Sequence, residues 1–141
     1  MQIFAHLALA FVARPSPSRL GRLTTARCAQ VTLVEIFQPP GCETSDETTR
    51  PLLLFLPGID GSGLAGASQW PRLRADFSIH ALRISPEDRT SFDAQVNFVE
   101  RWLVEHSAGD GRDAMLVGES AGAVLALGVA LRAPDRVSAL C

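Results

Sequence analysis

The sequence contains no lysine; all 13 basic residues are arginines, and against 15 acidic residues they leave a formal net charge of −2. Nothing in that balance argues for a nucleic-acid surface, and no nucleic-acid partner is expected. Cysteine is scarce as well: Cys28, Cys42 and Cys141 stand far apart, with no C-x-x-C pair and no Cys/His cluster. The spacing speaks against a zinc site and a disulfide framework, leaves free thiols as the default, and implies no metal or organic cofactor. Two further absences shape the reading: no acidic residue precedes Glu35, and no histidine follows Ser120.

What is present is the composition of a globular protein, with 141 residues and 47% hydrophobic content, enough for one domain with a core. Residues 1–34 stand apart, since four arginines, several Ser and Thr and no acid give them transit-peptide composition. The apolar opening, residues 3–13, ends in small residues and is too short for a membrane span. Ala8-Leu9-Ala10-Phe11 followed by an Arg/Ser/Pro segment resembles the bipartite plastid leaders of algae with secondary plastids. A chloroplast address is therefore expected. A plain transit peptide, a secretory signal and a wrongly assigned start codon are the alternatives.

The chemistry centres on Gly118-Glu119-Ser120-Ala121-Gly122. In a G-x-S-x-G turn between strand and helix the serine takes a strained backbone conformation, and the flanking glycines, Gly118 and Gly122, leave room for it. The turn lifts the Ser120 hydroxyl above the sheet edge and aims the N-terminus of the next helix at any oxyanion formed there, with the Ala121 N–H as first donor. Five residues with three fixed positions are a weak signal alone. The apolar run 114–117 before them and the Ala-rich apolar run after them supply the strand and helix that the mechanism needs. The bland reading is a tight turn packing a helix on a strand.

Residues 31–37 read as a strand, and residues 35–50 as a linker holding the end of that strand, Pro39-Pro40-Gly41 and a polar loop. The main domain is expected over 51–141, opening with the buried central strand 52–56. That strand runs into Pro57-Gly58-Ile59-Asp60-Gly61-Ser62-Gly63, whose three glycines let backbone N–H groups turn into a concave site, with the Ile59 N–H as second oxyanion donor. Residues 64–75 form a weak helix pattern in which Pro71 marks a break or a new start. Residues 77–84 alternate as a strand that contains His80, more readily a core or edge histidine than a base. Asp88-Arg89-Thr90-Ser91 offers a cap to a helix with Phe92, Val96, Val99 and Leu103 on its apolar side and Glu100, Arg101 and Glu105 in water. Gly109-Asp110-Gly111 leads to strand 114–117, and 137–140 starts another strand. The order predicts an α/β fold, a parallel sheet with helices on both faces, in which strands 52–56 and 114–117 are neighbours.

Leu56-Pro57-Gly58-Ile59-Asp60-Gly61-Ser62-Gly63, Asp88-Arg89-Thr90-Ser91-Phe92, Val99-Glu100 and Leu116-Val117-Gly118-Glu119-Ser120-Ala121-Gly122, in that order and spacing, resemble the plastid esterase/lipase/thioesterase family of the α/β-hydrolase fold, which includes phytyl ester synthases and diacylglycerol acyltransferases. The similarity spans about residues 52–140, the first half of such a domain. The resemblance implies serine-centred acyl transfer on lipid esters, with Ser120 as nucleophile and Gly58, Ile59 and Asp60 in the loop of the oxyanion hole. It implies a lipid acyl donor, such as an acyl-CoA, an acyl-carrier protein or a glycerolipid, and an alcohol or water as acceptor, at a membrane surface or plastoglobule. Two features depart from the family: an aromatic residue usually follows the serine where this chain has Ala121, and a second acyltransferase segment with an H-x4-D signature is absent.

In α/β hydrolases the acid and the histidine follow the serine, but past Ser120 the sequence offers Asp135 alone, in a helix-to-strand loop. A serine without a base is a weak nucleophile. The expectation is therefore an incomplete, inactive piece of an enzyme, truncated after the elbow; the alternative is a non-catalytic lipid-binding or interaction module that keeps the elbow as a structural turn.

Overall fold

A computed structural model describes residues 33–43, 49–107 and 113–141. The leader expected over residues 1–34, apart from its last two residues, lies outside them, as do residues 44–48 of the polar loop and Gly109-Asp110-Gly111. In chain order the elements are β1 (Val34–Phe37), β2 (Leu52–Leu56), α1 (Trp70–Leu73), β3 (Ser78–Ile84), α2 (Phe92–Ser107), β4 (Ala114–Gly118), α3 (Ala121–Arg132) and β5 (Val137–Leu140), with a single 3-10 turn at Pro134–Arg136.

The five strands form one sheet in the order β1-β3-β2-β4-β5. β2 is central because all five of its residues are apolar and buried, so either face of it can carry a layer. Its neighbours β3 and β4 are both parallel to it, with Leu54 opposite His80 on one side and Leu116 on the other. β5 continues the parallel set beside β4. The four strands expected to be parallel are so; β1, whose direction was left open by the sequence, joins β3 antiparallel, Val34 opposite Ile84 and Phe37 opposite Ala81. The antiparallel strand lies at the sheet edge, where only one neighbour sets its direction.

Strand alternation divides the core into two layers. Leu52, Leu54 and Leu56 of β2 pack with Ala114 and Leu116 of β4 against Val96, Val99 and Leu103 of α2 and Leu125, Ala126 and Val129 of α3. Leu53 and Phe55 point the other way and pack with Ile79, Ala81, Cys42 and Trp70. Burial pushes the Cys42 thiol pKa up, against the pull of Arg74, so this cysteine is an inert core group.

α2 starts where its sequence places it, because the Ser91 hydroxyl accepts the Ala94 N–H at 3.2 Å and so caps the first turn. On the opposite side of the helix Arg101 and Glu105 are exposed as expected, while Glu100 is half-buried and pairs with Arg132 of α3 at 3.3 Å. The helix expected over 64–75 is largely absent. Only Trp70–Leu73 is helical, with Pro71 in its first turn. The preceding residues form successive turns, Ala67 N–H to Leu64 O and Gln69 N–H to Gly66 O, both at 2.9 Å. Gly66 sits against Phe55 and the Trp70 ring, and a Cβ there would come within 2.9 Å of Trp70 Nε1. Tertiary packing of Trp70, rather than helix propensity, shapes this segment.

α3 is apolar nearly all round. Its inner face is buried, yet Val124, Leu127 and Leu131 on the opposite side are 60%, 51% and 75% exposed. Among the described residues no helix is long and apolar enough to cross a membrane.

Candidate active site

The chain leaves β2 for β3 on one side and later returns through β4 on the other, so the connections at the carboxyl ends of β2 and β4 run in opposite directions. Such a switch point opens a crevice beyond the strand ends. Two segments fill it: the 57–63 loop after β2 and the turn at Ser120 after β4.

Ser120 has φ 52° and ψ −114°, and among the described residues it is the only one other than glycine with positive φ. Positive φ at a residue with a Cβ costs of order 1–3 kcal/mol and persists only where the surroundings enforce it. Here the constraint is visible on both sides. Glu119 N–H is tied to Leu56 O at 3.1 Å, Gly122 N–H closes on Glu119 O at 2.8 Å, and Ala123 N–H bonds Ser120 O at 3.0 Å. Neither glycine of the turn can gain a side chain: a Cβ on Gly118 would stand 2.5 Å from the Ala123 Cα, and one on Gly122 would stand 2.1 Å from Leu56 O. The pattern G-x-S-x-G is thus dictated by contact distances, as its sequence suggested.

The 57–63 loop divides its glycines between two tasks. Gly58 faces the serine, with its missing Cβ 3.6 Å from Ser120 Cβ and 3.5 Å from Glu119 O. Gly61 and Gly63 have φ +63° and +69° and press on β3, where added Cβ atoms would lie 2.3 Å from Ile84 O and 2.4 Å from Leu82 O. The concave backbone expected from three glycines therefore rests on Gly58, while the other two lock the loop to the sheet. The turn Gly61 N–H to Gly58 O, 3.1 Å, and the bond Ile84 N–H to Gly61 O, 2.8 Å, complete that lock. The Ser62 hydroxyl donates to Asp60 and accepts Leu64 N–H at 3.1 Å, so Asp60 supports the loop.

A cavity of about 350 Å³ opens beside the elbow. Gly58, Ile59 and Asp60 line one side of it, Ala121, Gly122 and Leu125 of α3 a second, and Ile84, Ser85, Pro86, Phe92 and Gln95 a third. The structure thus brings the two expected donor residues, Ile59 and Ala121, to one cavity at the start of α3. The Ile59 side chain is 97% exposed at its mouth, and Phe92 is 47% exposed.

His80 is not brought there. It sits at the level of Leu54 and Leu116, two residues short of the Leu56–Gly118 level at which the elbow starts. Its ring lies 4.9 Å from Trp102, which in turn stacks on His106 at 4.1 Å. Both histidines of the described residues belong to this aromatic cluster along the later turns of α2. Asp135 lies in the 3-10 turn after α3, as its flanking sequence suggested.

One feature of the site escaped the sequence. Asp88 accepts the Thr90 hydroxyl at 2.7 Å and the Gln95 side-chain N–H at 3.1 Å, and so ties the loop after β3 to the first turns of α2. Partial burial works to raise the Asp88 pKa, but the hydrogen bonds from Thr90 and Gln95 outweigh it and hold the carboxyl below its ordinary value. Asp88 had a legible role as a turn or cap residue; its partner seven positions on carried no signal.

No family model matches the chain. Among curated proteins it is 42% identical over 100 residues to phytyl ester synthase 2, chloroplastic, of Arabidopsis thaliana, a match covering 70% of this chain and 14% of that protein. It is 38% identical over 97 residues to phytyl ester synthase 1, chloroplastic, of the same plant, covering 68% of this chain and 14% of that protein. The chain thus spans 14% of the length of the curated relatives it matches. Among solved structures it is similar to a carboxylesterase of Nitrososphaera gargenis, with a TM-score of 0.57 at 16% identity over 76% of this chain and 39% of that one. A lipase-esterase related protein from Clostridium acetobutylicum matches with a TM-score of 0.55 at 18% identity over 77% and 45% of the two chains. These structural likenesses bear on the fold, the curated ones on descent. The chain is therefore a homologue of these two phytyl ester synthases over about 100 residues and carries part of an α/β-hydrolase fold.

Proposed function

We propose that the chain carries the nucleophile half of a serine-dependent acyl transfer on lipid esters. The observation that carries this reading is the backbone of Ser120, held at φ 52° between a buried strand and a helix N-terminus. Backbone strain of this kind clusters at functional sites, and at a strand-to-helix turn it exposes the serine hydroxyl. In the reaction Ser120 Oγ gives its proton to water, the acceptor open to it where no imidazole base lies beside it among the described residues, and attacks the acyl carbonyl. The negative charge passes to the carbonyl oxygen, where Ala121 N–H and Ile59 N–H donate to it, and the leaving group takes up a proton on collapse. Collapse expels the alcohol or thiol of the donor and leaves an acyl-serine. An acceptor alcohol or water then takes the acyl group and restores the hydroxyl.

The family supports a lipid acyl donor, such as an acyl-CoA, an acyl-carrier protein or a glycerolipid, with phytol, diacylglycerol or water as acceptor. Work at a membrane surface or plastoglobule fits the exposed Ile59 and Phe92 at the cavity mouth. The two relatives named chloroplastic support a plastid address, with residues 1–34 as its leader.

A second reading has its own observation. Among the described residues neither histidine lies at the cavity, so Ser120 has no imidazole base beside it there. A lipid-binding module that keeps the elbow as a turn would look the same. The two readings separate on incubation with an acyl-CoA in the presence of added imidazole as external base, followed by peptide mass mapping of wild type and Ser120→Ala. Acyl transfer places the acyl group on Ser120 and releases free CoA, whereas the binding module retains the lipid without a covalent adduct.

A further inference from the structure

We propose that Gln95 contacts the acceptor alcohol in the cavity beside the elbow, which Ala121 and Gly122 line, and that Asp88 is the positioning residue that fixes which way the Gln95 amide points. The proposal rests on the reading of Ser120 as nucleophile. Gln95 lines the cavity with two other polar side chains, Asp60 and Ser85, among Ile59, Ile84, Pro86, Phe92 and Leu125; Asp60 is already engaged by the Ser62 hydroxyl. In such sites a small number of fixed polar groups orient the ligand while the apolar wall supplies contact area.

An amide can normally present either face, since its oxygen and nitrogen branches are nearly equal in shape. Gln95 has no such choice. Ionised Asp88 can only accept, and it takes an N–H of Gln95 at 3.1 Å. The amide nitrogen is thereby committed to Asp88, and the carbonyl branch is left for a donor from another direction. Asp88 is itself held, because its carboxylate also accepts the Thr90 hydroxyl at 2.7 Å and its own N–H donates to Ser85 O at 2.9 Å. Ser85 lines the same cavity.

A fixed carbonyl in an apolar wall selects a ligand that brings a hydroxyl. An ester or an acyl thioester has acceptors only, so it gains nothing from Gln95 Oε1. An acceptor alcohol does, and its hydroxyl would then lie in the cavity that the Ser120 elbow borders. Gln95 would thus favour transfer to an alcohol over simple retention of the acyl chain.

The test is binding of 1-hexanol against hexyl methyl ether, which has the same apolar body without the hydroxyl proton, followed by ligand-observed NMR on the chain. The expected preference for the alcohol is about fivefold, the worth of one hydrogen bond. Gln95→Met, of similar length without the amide, should abolish the preference while leaving ether binding unchanged. Asp88→Asn, which lets the amide face either way, should reduce it. Adding Asp88→Asn to Gln95→Met should change nothing more. A preference that survives Gln95→Met overturns the proposal, as does weaker ether binding in the double variant than in Gln95→Met, which would mark Asp88 as holding the wall and not the amide. Retained ether binding by each variant is the control for fold, so that loss of the preference counts only where the ether still binds. Failure of the Ser120 reading shows elsewhere, as absence of a covalent adduct on that serine.

Discussion

The missing Cβ of Gly122 would stand 2.1 Å from the carbonyl oxygen of Leu56. Helix α3 begins directly against the end of the central strand, and this contact sets how deeply the elbow sits in the sheet. Gly122→Ala should therefore cost about 2–3 kcal/mol through forced backbone displacement. Gly58→Ala meets nothing closer than 3.5 Å and should leave stability within about 0.5 kcal/mol. Chemical denaturation of the two variants checks the contrast; equal losses would mean that the elbow does not pack as described.

Gly61 and Gly63 combine positive φ with close approach to β3, so alanine at either position carries both a backbone and a steric penalty. Gly61→Ala should destabilise by about 2 kcal/mol or more and loosen the 57–61 loop. Faster hydrogen exchange at Ile84 N–H, which bonds Gly61 O at 2.8 Å, is the expected local sign.

The Asp88 carboxyl has a pKa held below its ordinary value, so it binds its proton less readily in the folded than in the unfolded chain. Its contribution to stability is then complete above the unfolded pKa and disappears as pH falls through the lower folded one. The difference in melting temperature between wild type and Asp88→Asn should be constant near neutrality and shrink below about pH 4. Glu87 lies in the same loop and is lowered too, through the Ser85 hydroxyl and its own backbone N–H, so Glu87→Gln is the control for acid effects from its neighbour. A gap that stays fixed down to acid pH would show that Asp88 acts through shape alone.

The sheet was legible because its strands are short apolar runs bounded by Pro, Gly or polar residues, and the strand–helix alternation makes 52–56 and 114–117 neighbours. The elbow was legible for the same reason that it is rigid: two glycines and a serine at fixed spacing have few other uses after a buried strand. The antiparallel direction of β1 was not, since an edge strand of four residues carries no mark of which way it pairs. Residues 64–69 misled through helix-compatible composition, where packing of Trp70 on Phe55 decided the path. The Asp88–Gln95 link was invisible because nothing in its seven-residue spacing distinguishes it from two exposed polar groups.

Val124, Leu127 and Leu131 form an exposed apolar stripe on α3, a surface that favours association. Leu127→Gln and Leu131→Gln should raise solubility with stability changed by no more than about 0.5 kcal/mol. Sedimentation and thermal unfolding of the pair check this, and a large loss of stability would place those side chains in a buried setting.

The nucleophile assignment is tested most directly by the rate and position of labelling with a fluorophosphonate probe, with and without added imidazole as an external base. Ser120 should carry the adduct, slowly alone because no imidazole base neighbours it among the described residues, and faster as imidazole is added to take the Oγ proton. Ser120→Ala should remove the labelling and leave the fold in place, since an exposed hydroxyl adds little to stability. Labelling of wild type and Ser120→Ala at equal rates, or an adduct on another serine, would contradict the assignment.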